Sequence, residues 1–224
     1  MIEQYSEEWF AARCGRVTAS RMADLTARTK SGWGASRANY MAQLIAERLT
    51  GVPADSYTSA AIQWGIEREP EARAAYEFRA DAAVAPGGFV LHPEIGMAGA
   101  SPDGLVGDAG LIEIKCPNTA THIETLLSGV VPDKYQKQMQ FQLACTGRKW
   151  CDFVSYDPRM PEELRLFIKR VHRADNEIRF LEQSVKDFLA ELEDRLGALR
   201  AKYLGGEKPV KAALRAALSE EARA

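Results

Sequence analysis

Ser101-Pro102-Asp103-Gly104-Leu105 and then Leu111-Ile112-Glu113-Ile114-Lys115-Cys116-Pro117 are the stretches on which the fold turns. The first reads as a turn carrying an acid, the second as a strand. Successive strand residues alternate between faces, so Glu113 and Lys115 share one face while Ile112 and Ile114 occupy the other. A carboxylate and an ammonium projecting from an otherwise apolar strand are costly to bury, and something must offset that cost. One possibility is a hard-metal site, with Asp103 and Glu113 offering oxygens to Mg²⁺. Lys115 would then orient or deprotonate a water, its pKa lowered by the cation. The other is an edge hairpin with a surface Glu–Lys pair.

Outward from this hairpin the pattern predicts a mixed domain. On the N-terminal side, Ser6 followed by Glu7 and Glu8 caps a short helix that stops at Gly15, and Thr18 and Ser20 offer a cap for a second. Residues 27–36 read as a basic, glycine-containing loop. Tyr40, Met41, Leu44, Ile45 and Leu49 recur at helical spacing up to Gly51. A further helix covers about 59–79, with a kink or restart expected at Pro70. After Pro86-Gly87-Gly88, short apolar runs at 89–91, 97–100 and 111–114 read as strands of one sheet. Helices at about 119–127 and 134–145, strands at 150–155 and 164–171, and a long helix at 175–203 follow. The expected class is α/β (α+β), a central mixed sheet flanked by helices, as one domain over 1–203. Residues 204–224 read as an appendage, a Gly-Gly-Glu-Lys-Pro linker and an alanine-rich helix.

Composition narrows the function. At 46% hydrophobic and 27% charged, the 224 residues suit a globular chain that builds its own core. No apolar run approaches a membrane span, and the acidic N-terminus lacks the apolar stretch of a signal peptide, so a cytoplasmic protein is expected. The four cysteines have no close spacing, which argues against an iron–sulfur or zinc site. Lys and Arg total 29 against 31 Asp and Glu, so any contact with nucleic acid is a local patch.

The Asp103…Glu113-x-Lys115 layout is that of the PD-(D/E)xK nuclease core, related to restriction endonucleases. Further segments resemble the lambda-type phage exonucleases, also called YqaJ-like viral recombinases. These are Trp9, Arg13, Gly15 with Val17-Thr18-Ala19-Ser20; Trp64-Gly65 with Glu69; Ser-Pro-Asp-Gly-Leu and Glu-Ile-Lys-Cys-Pro; Gln138-Met139-Gln140; and Tyr156-Asp157-Pro158-Arg159-Met160. They fall in order across residues 9–160.

The resemblance implies that Asp103, Glu113 and the Ile114 carbonyl ligate Mg²⁺, one or two ions per site, with Mn²⁺ able to substitute. Glu69 would reach a second metal or its waters. Lys115 would handle the attacking water, and Gln138 would hold the water or the scissile phosphate. Arg13, Ser20 and Ser101 would bind the terminal 5′-phosphate, a role that suits a two-pronged guanidinium and hydroxyl donors. Ile62 stands where the family has an apolar wedge that parts the last base pairs. Arg28, Lys30 and Ser31 fall in a segment that touches the duplex ahead of the site. Lys30 replaces an arginine there, and an ammonium is a point charge without the fork.

For most of these residues taken singly an ordinary role is open: Glu69 in a charged helix face, Ser20 as a cap, Gln138 and Gln142 as exposed polar side chains, Ile62 as core. His92, His122 and His172 are read as non-catalytic, and Trp9 and Trp64 as core. The resemblance further implies a Mg²⁺-dependent 5′→3′ exonuclease on double-stranded DNA ends that releases mononucleotides and leaves 3′ tails. It implies a ring-shaped homotrimer and a single-strand annealing protein as partner, in the cytoplasm of a bacterial host, of phage or prophage origin. The alternatives are a RecB-like or endonucleolytic nuclease of the same core, and a DNA-end-binding module without activity.

Overall fold

The structure, a computed structural model, describes Ile2 and residues 4–30, 32–54 and 59–204. Ser31 and residues 205–224, which hold nearly all of the expected appendage, lie outside the described residues. Contacts group the chain into two units, Met1–Phe188 and Leu189–Ala224.

The first unit opens with α1 (Glu7–Arg13), β1 (Val17–Thr18), a 3₁₀ turn at Ala19–Arg21 and α2 (Met22–Leu25). The hairpin β2 (Arg28–Thr29) and β3 (Gly32–Trp33) leads to α3 (Ala35–Thr50) and α4 (Ala60–Ala80). Five short strands follow: β4 (Val84–Pro86), β5 (Val90–Leu91), β6 (Ala98–Ala100), β7 (Gly104–Val106) and β8 (Gly110–Lys115). Then come α5 (Thr119–Ser128), α6 (Asp133–Thr146), β9 (Trp150–Tyr156) and β10 (Leu166–His172). The helix α7 (Asp175–Leu199) begins in this unit and crosses its boundary, and a π-helical turn spans Arg200–Leu204.

Helix ends at Ser6 and Gly51 follow the predicted chemistry, whereas the Thr18 side chain makes no cap bond and Ser20 lies inside the 3₁₀ turn. The Ser6 hydroxyl accepts from Trp9 N–H, and the Asn118 side chain accepts from Thr121 N–H to start α5. α3, α5 and α6 stop at Gly51, Gly129 and Gly147, each in the left-handed region.

Apart from the β2–β3 hairpin, the described strands form two sheets where one was expected. β10-β9-β8-β7-β4 make a five-stranded mixed sheet, and β1-β6-β5 a separate three-stranded one. β8 and β9 run parallel, with Lys115 opposite Ser155, while β7 and β8 form an antiparallel hairpin. β1 pairs in parallel with β6, Val17 opposite Ala98. A two-residue strand carries no periodic signal of its own, so β1 could not be anticipated.

Two further expectations are corrected. Residues 27–36 contain the small β2–β3 hairpin. α4 continues as one helix through Pro70, which lies on its exposed side, where the carbonyl left without a donor can meet water.

The five-stranded sheet has a core on each face. Ile112, Ile114 and Val154 pack with Ala72 and Tyr76 of α4 on one. Leu111, Cys151 and Phe153 pack with Met139, Leu143 and Ile178 on the other. Complete burial of such a side chain contributes roughly 1.5–3 kcal/mol. β8 is thus clamped between helices, and its last turn of polar residues is carried on a rigid support.

Candidate active site

Glu113 is completely buried, and its carboxylate is fully engaged. Oε1 lies 2.5 Å from Lys115 Nζ and accepts from Gln138 Nε2 at 2.6 Å; Oε2 accepts from Gln142 Nε2 at 2.6 Å. The two glutamines are four residues apart on α6 and so meet β8 with the same face. The ordinary alternative of exposed glutamines does not hold: both are buried against the acid. Gln142 is a residue of this group that the sequence does not single out. Its spacing from Gln138 was visible, but a polar residue beside a buried acid looks the same on paper as one in water.

Asp103 faces this group across the hairpin, and its Oδ2 accepts the Ile114 backbone N–H at 2.6 Å. Gly104 next to it admits no side chain, since a Cβ would come within 2.2 Å of Val84 Cγ1 and 3.1 Å of Arg73 Nη1. Arg73 in turn holds Glu69, Nη2 to Oε1 2.8 Å, one helical turn apart on α4.

The carboxyls disturb one another. Burial pushes the Asp103 carboxyl well above its usual range, and Glu113 and Glu69 add to the rise. Glu69 is raised by burial too, with Arg73 opposing. Burial lowers the Lys115 ammonium, but the Glu113 and Asp103 carboxylates outweigh it and the net shift is upward.

A hard divalent cation fits this donor set: the buried Glu113, the half-buried Asp103, a third acid on the adjacent helix, and the carbonyl of Ile114, all oxygen. Acids whose charged forms are disfavoured by burial and mutual repulsion are what such a cation would relieve. No ready-made cage of three acidic, cysteine or histidine side chains exists among the described residues. Each acid is held by its own protein donors, and binding a cation would require some of those contacts to open.

Arg13, Ser20 and Ser101 line the same cleft as Glu69, Asp103, Glu113, Lys115 and Gln138, a space of about 830 Å³. The Ser101 hydroxyl oxygen accepts from Trp9 Nε1 at 2.9 Å and Arg13 Nη1 at 3.1 Å. Its own proton is left to donate to an anion. The Arg13 guanidinium lies over the Trp9 ring, 4.0 Å from its centroid, a cation–π contact. The fold brings these residues together through Gly15, whose φ of 70° turns the chain out of α1, and through the pairing of β1 with β6, which ends at Ala100.

Ile62, half-buried in the first turn of α4, lines this cleft and a smaller adjoining one of about 290 Å³. Arg28 and Lys30 line neither; Arg28 stacks on Trp33 at 4.0 Å in the β2–β3 hairpin. Trp9 is core, as expected, whereas Trp64 is half-buried and lines the cleft. His122 is buried, with Nδ1 2.7 Å from Ser155 Oγ and Nε2 2.8 Å from the Leu164 carbonyl, so both ring nitrogens serve the fold. His92 is buried beside Glu182, Nε2 to Oε1 3.1 Å.

A mixed sheet that presents Asp103, Glu113 and Lys115 at one hairpin end, with flanking helices supplying Glu69 and Gln138, is the PD-(D/E)xK fold of phage-type exonucleases. Residues 8–149 match the YqaJ-like viral recombinase domain, and the chain belongs to that family. It is similar to an alkaline exonuclease, LHK-Exo, from Laribacter hongkongensis: 55% identity over 88% of this chain and 97% of that one, TM-score 0.82. The same enzyme in complex with dAMP gives 55% identity, the same coverage and a TM-score of 0.83. A phage-related exonuclease from Haemophilus somnus 129PT shares the fold, at TM-score 0.65 and 15% identity over 82% of this chain and 96% of that one. Comparison with curated proteins gave no match. Among the described residues no helix is long and apolar enough to cross a membrane.

Proposed function

We propose that the chain is a divalent-metal-dependent exonuclease that degrades one strand of duplex DNA from its 5′ end, releases mononucleotides and leaves a 3′ single-stranded tail. The observation that carries this is one cleft holding both the Asp103–Glu113–Lys115 centre and the Arg13–Ser20–Ser101 group. An enzyme that cut internally would have no use for a site built to grip a terminal phosphate.

Asp103, Glu113 and the Ile114 carbonyl would hold Mg²⁺, or Mn²⁺ in its place, with Glu69 reaching a second ion. When bound, such ions lower the pKa of the attacking water and stabilise the leaving 3′-oxygen. Lys115 is the group that orients this water and takes its proton, and Gln138 holds the water or the scissile phosphate beside it. With two carboxylates keeping it protonated, Lys115 can accept a proton only once their charge is offset. Arg13 and Ser101 fix the terminal phosphate, with Ser20 at the rim. Ile62 meets the last base pair as an apolar wedge, and Arg28 and Lys30 touch the duplex ahead of the cleft.

Membership of a viral recombinase family supports a role in phage-type recombination. There the 3′ tail would pass to a single-strand annealing protein in the bacterial cytoplasm. The working form is a homotrimeric ring around the duplex, which needs a head-to-tail interface that closes.

Digestion of a linear duplex labelled at either the 5′ or the 3′ end tests the reading. With Mg²⁺ the 5′ label should leave first as mononucleotide while the 3′ label stays in long fragments, and EDTA should stop both. Early loss of the 3′ label, or cleavage in EDTA, would overturn it.

A further inference from the structure

The cleft has a second cationic pole, which the Arg13 group leaves unexplained. Arg159 and Lys134 both line it. The sheet order β9-β8-β7 places this pole. Arg159 follows the end of β9, Ser101 precedes β7, and β8 with Glu113 and Lys115 runs between them. The two poles therefore flank the catalytic strand on opposite sides.

Arg159 is built in rather than loose. Asp157 is completely buried, and its carboxylate accepts Arg159 Nε at 2.7 Å, Nη2 at 2.9 Å and the Arg159 backbone N–H at 3.0 Å. Thr119 Oγ1 donates to the same carboxylate at 2.7 Å, and Arg159 Nη2 also donates to the Pro117 carbonyl at 3.2 Å. The guanidinium lies 4.7 Å from the centroid of the Trp64 ring. Only Nη1 is left without a protein acceptor among the described residues. Lys134 is exposed, lies 4.6 Å from the Tyr135 centroid and forms no ion pair with the described residues. Asp157 neutralises Arg159 from beneath, so Lys134 supplies the net charge and Arg159 a fixed donor.

We propose that Arg159 and Lys134 form a second phosphate subsite, which holds the internucleotide phosphate next on the 3′ side of the scissile bond. The direction rests on the 5′-phosphate reading of Arg13. With the strand's end at Arg13 and the scissile phosphate at the carboxylates, the strand leaves the catalytic strand on the Arg159 side. A rigid donor there fixes the nucleotide that keeps the scissile phosphate, and so the position of the phosphorus against the carboxylates, which is worth rate as well as affinity.

The test is single-turnover release of the first nucleotide from a 5′-phosphorylated duplex. One substrate has only phosphodiesters, and the other carries an uncharged methylphosphonate at the linkage next 3′ to the first scissile bond. Wild type should release the nucleotide on the order of tenfold more slowly from the second, the loss expected for a charge-assisted hydrogen bond. In Lys134→Ala and Arg159→Lys this penalty should shrink, with all-phosphodiester DNA already slow. Arg159→Lys also tests whether the fork is needed, and if that variant fails to fold, exposed Lys134→Ala carries the test. A wild type indifferent to the methylphosphonate, or an undiminished penalty in the variants, would overturn the subsite. Loss of 5′ polarity on unmodified DNA would instead overturn the reading beneath it.

Discussion

Both oxygens of Glu113 are held by side chains of α6 and by Lys115, so the orientation of this acid is set before any ligand arrives. Gln142→Ala should leave the fold intact and weaken Mn²⁺ binding and turnover by about 10- to 100-fold, the usual cost of losing a residue that orients a metal ligand. Calorimetric Mn²⁺ titration and the Mg²⁺ dependence of the rate would check this, and unchanged values would make Gln142 structural. Asp103→Asn should abolish hydrolysis yet keep or raise the melting temperature of metal-free protein at pH 7. The raised pKa means that the folded state holds the Asp103 proton more tightly than the unfolded state, a stabilising effect lost as pH rises through that value. At neutral pH, where the unfolded carboxyl is ionised, this acid is therefore a burden on the metal-free fold, and a neutral amide removes it while still accepting from Ile114 N–H. A large fall in melting temperature would contradict this. Lys115→Ala should reduce the rate on the order of 10²–10⁴-fold with metal binding kept. Glu113 and Lys115 were legible because strand alternation fixes a shared face. Gln142 was not, because α6 is buried continuously from Gln138 to Cys145 and its glutamines lack the apolar stripe that marks an inward face.

At the scale of elements, the end of β9 is tied to the start of α5 by one buried acid. Thr119 and Arg159 lower the Asp157 pKa to about 2, overcoming the rise that burial alone would cause. An acid depressed in the folded state stabilises above its ordinary value of 3.8, and that contribution is lost as pH falls toward about 2. Asp157→Asn should therefore cost roughly 1–3 kcal/mol at pH 7, the worth of hydrogen bonds to a charged group. Melting curves should show the gap between wild type and variant narrowing as pH falls below about 4; a constant gap would mean that Asp157 contributes only shape. The long helices and the strands near 98–100, 110–115, 150–156 and 166–172 were legible from period and punctuation, whereas β7 lay in a stretch that reads as a turn. The division into two sheets was not, since β1 and β5 have two residues each and their pairing is set by where α1 and Gly15 send the chain. Pro70 misled for a related reason: a proline interrupts a helix only if the freed carbonyl has nowhere to go.

For the whole molecule, one cleft gathers residues from α1, the turn after β1, α4, the β7–β8 hairpin and α6, nearly the full span of the recombinase domain. Light scattering should give a mass near three times 24.8 kDa if the ring reading holds, and a monomer at working concentrations would remove it. The central claim is that Arg13 holds the 5′-phosphate of the strand which Asp103, Glu113 and Lys115 cut. A competition between 5′-phosphorylated and 5′-hydroxyl duplex ends, for wild type and Arg13→Ala, tests it most directly. Wild type should prefer the phosphorylated end by about 10- to 150-fold. Arg13→Ala should lose that preference more than it loses cleavage of the hydroxyl end. Equal wild-type rates on the two ends would contradict the account and leave Arg13 as a structural partner of Trp9 and Ser101.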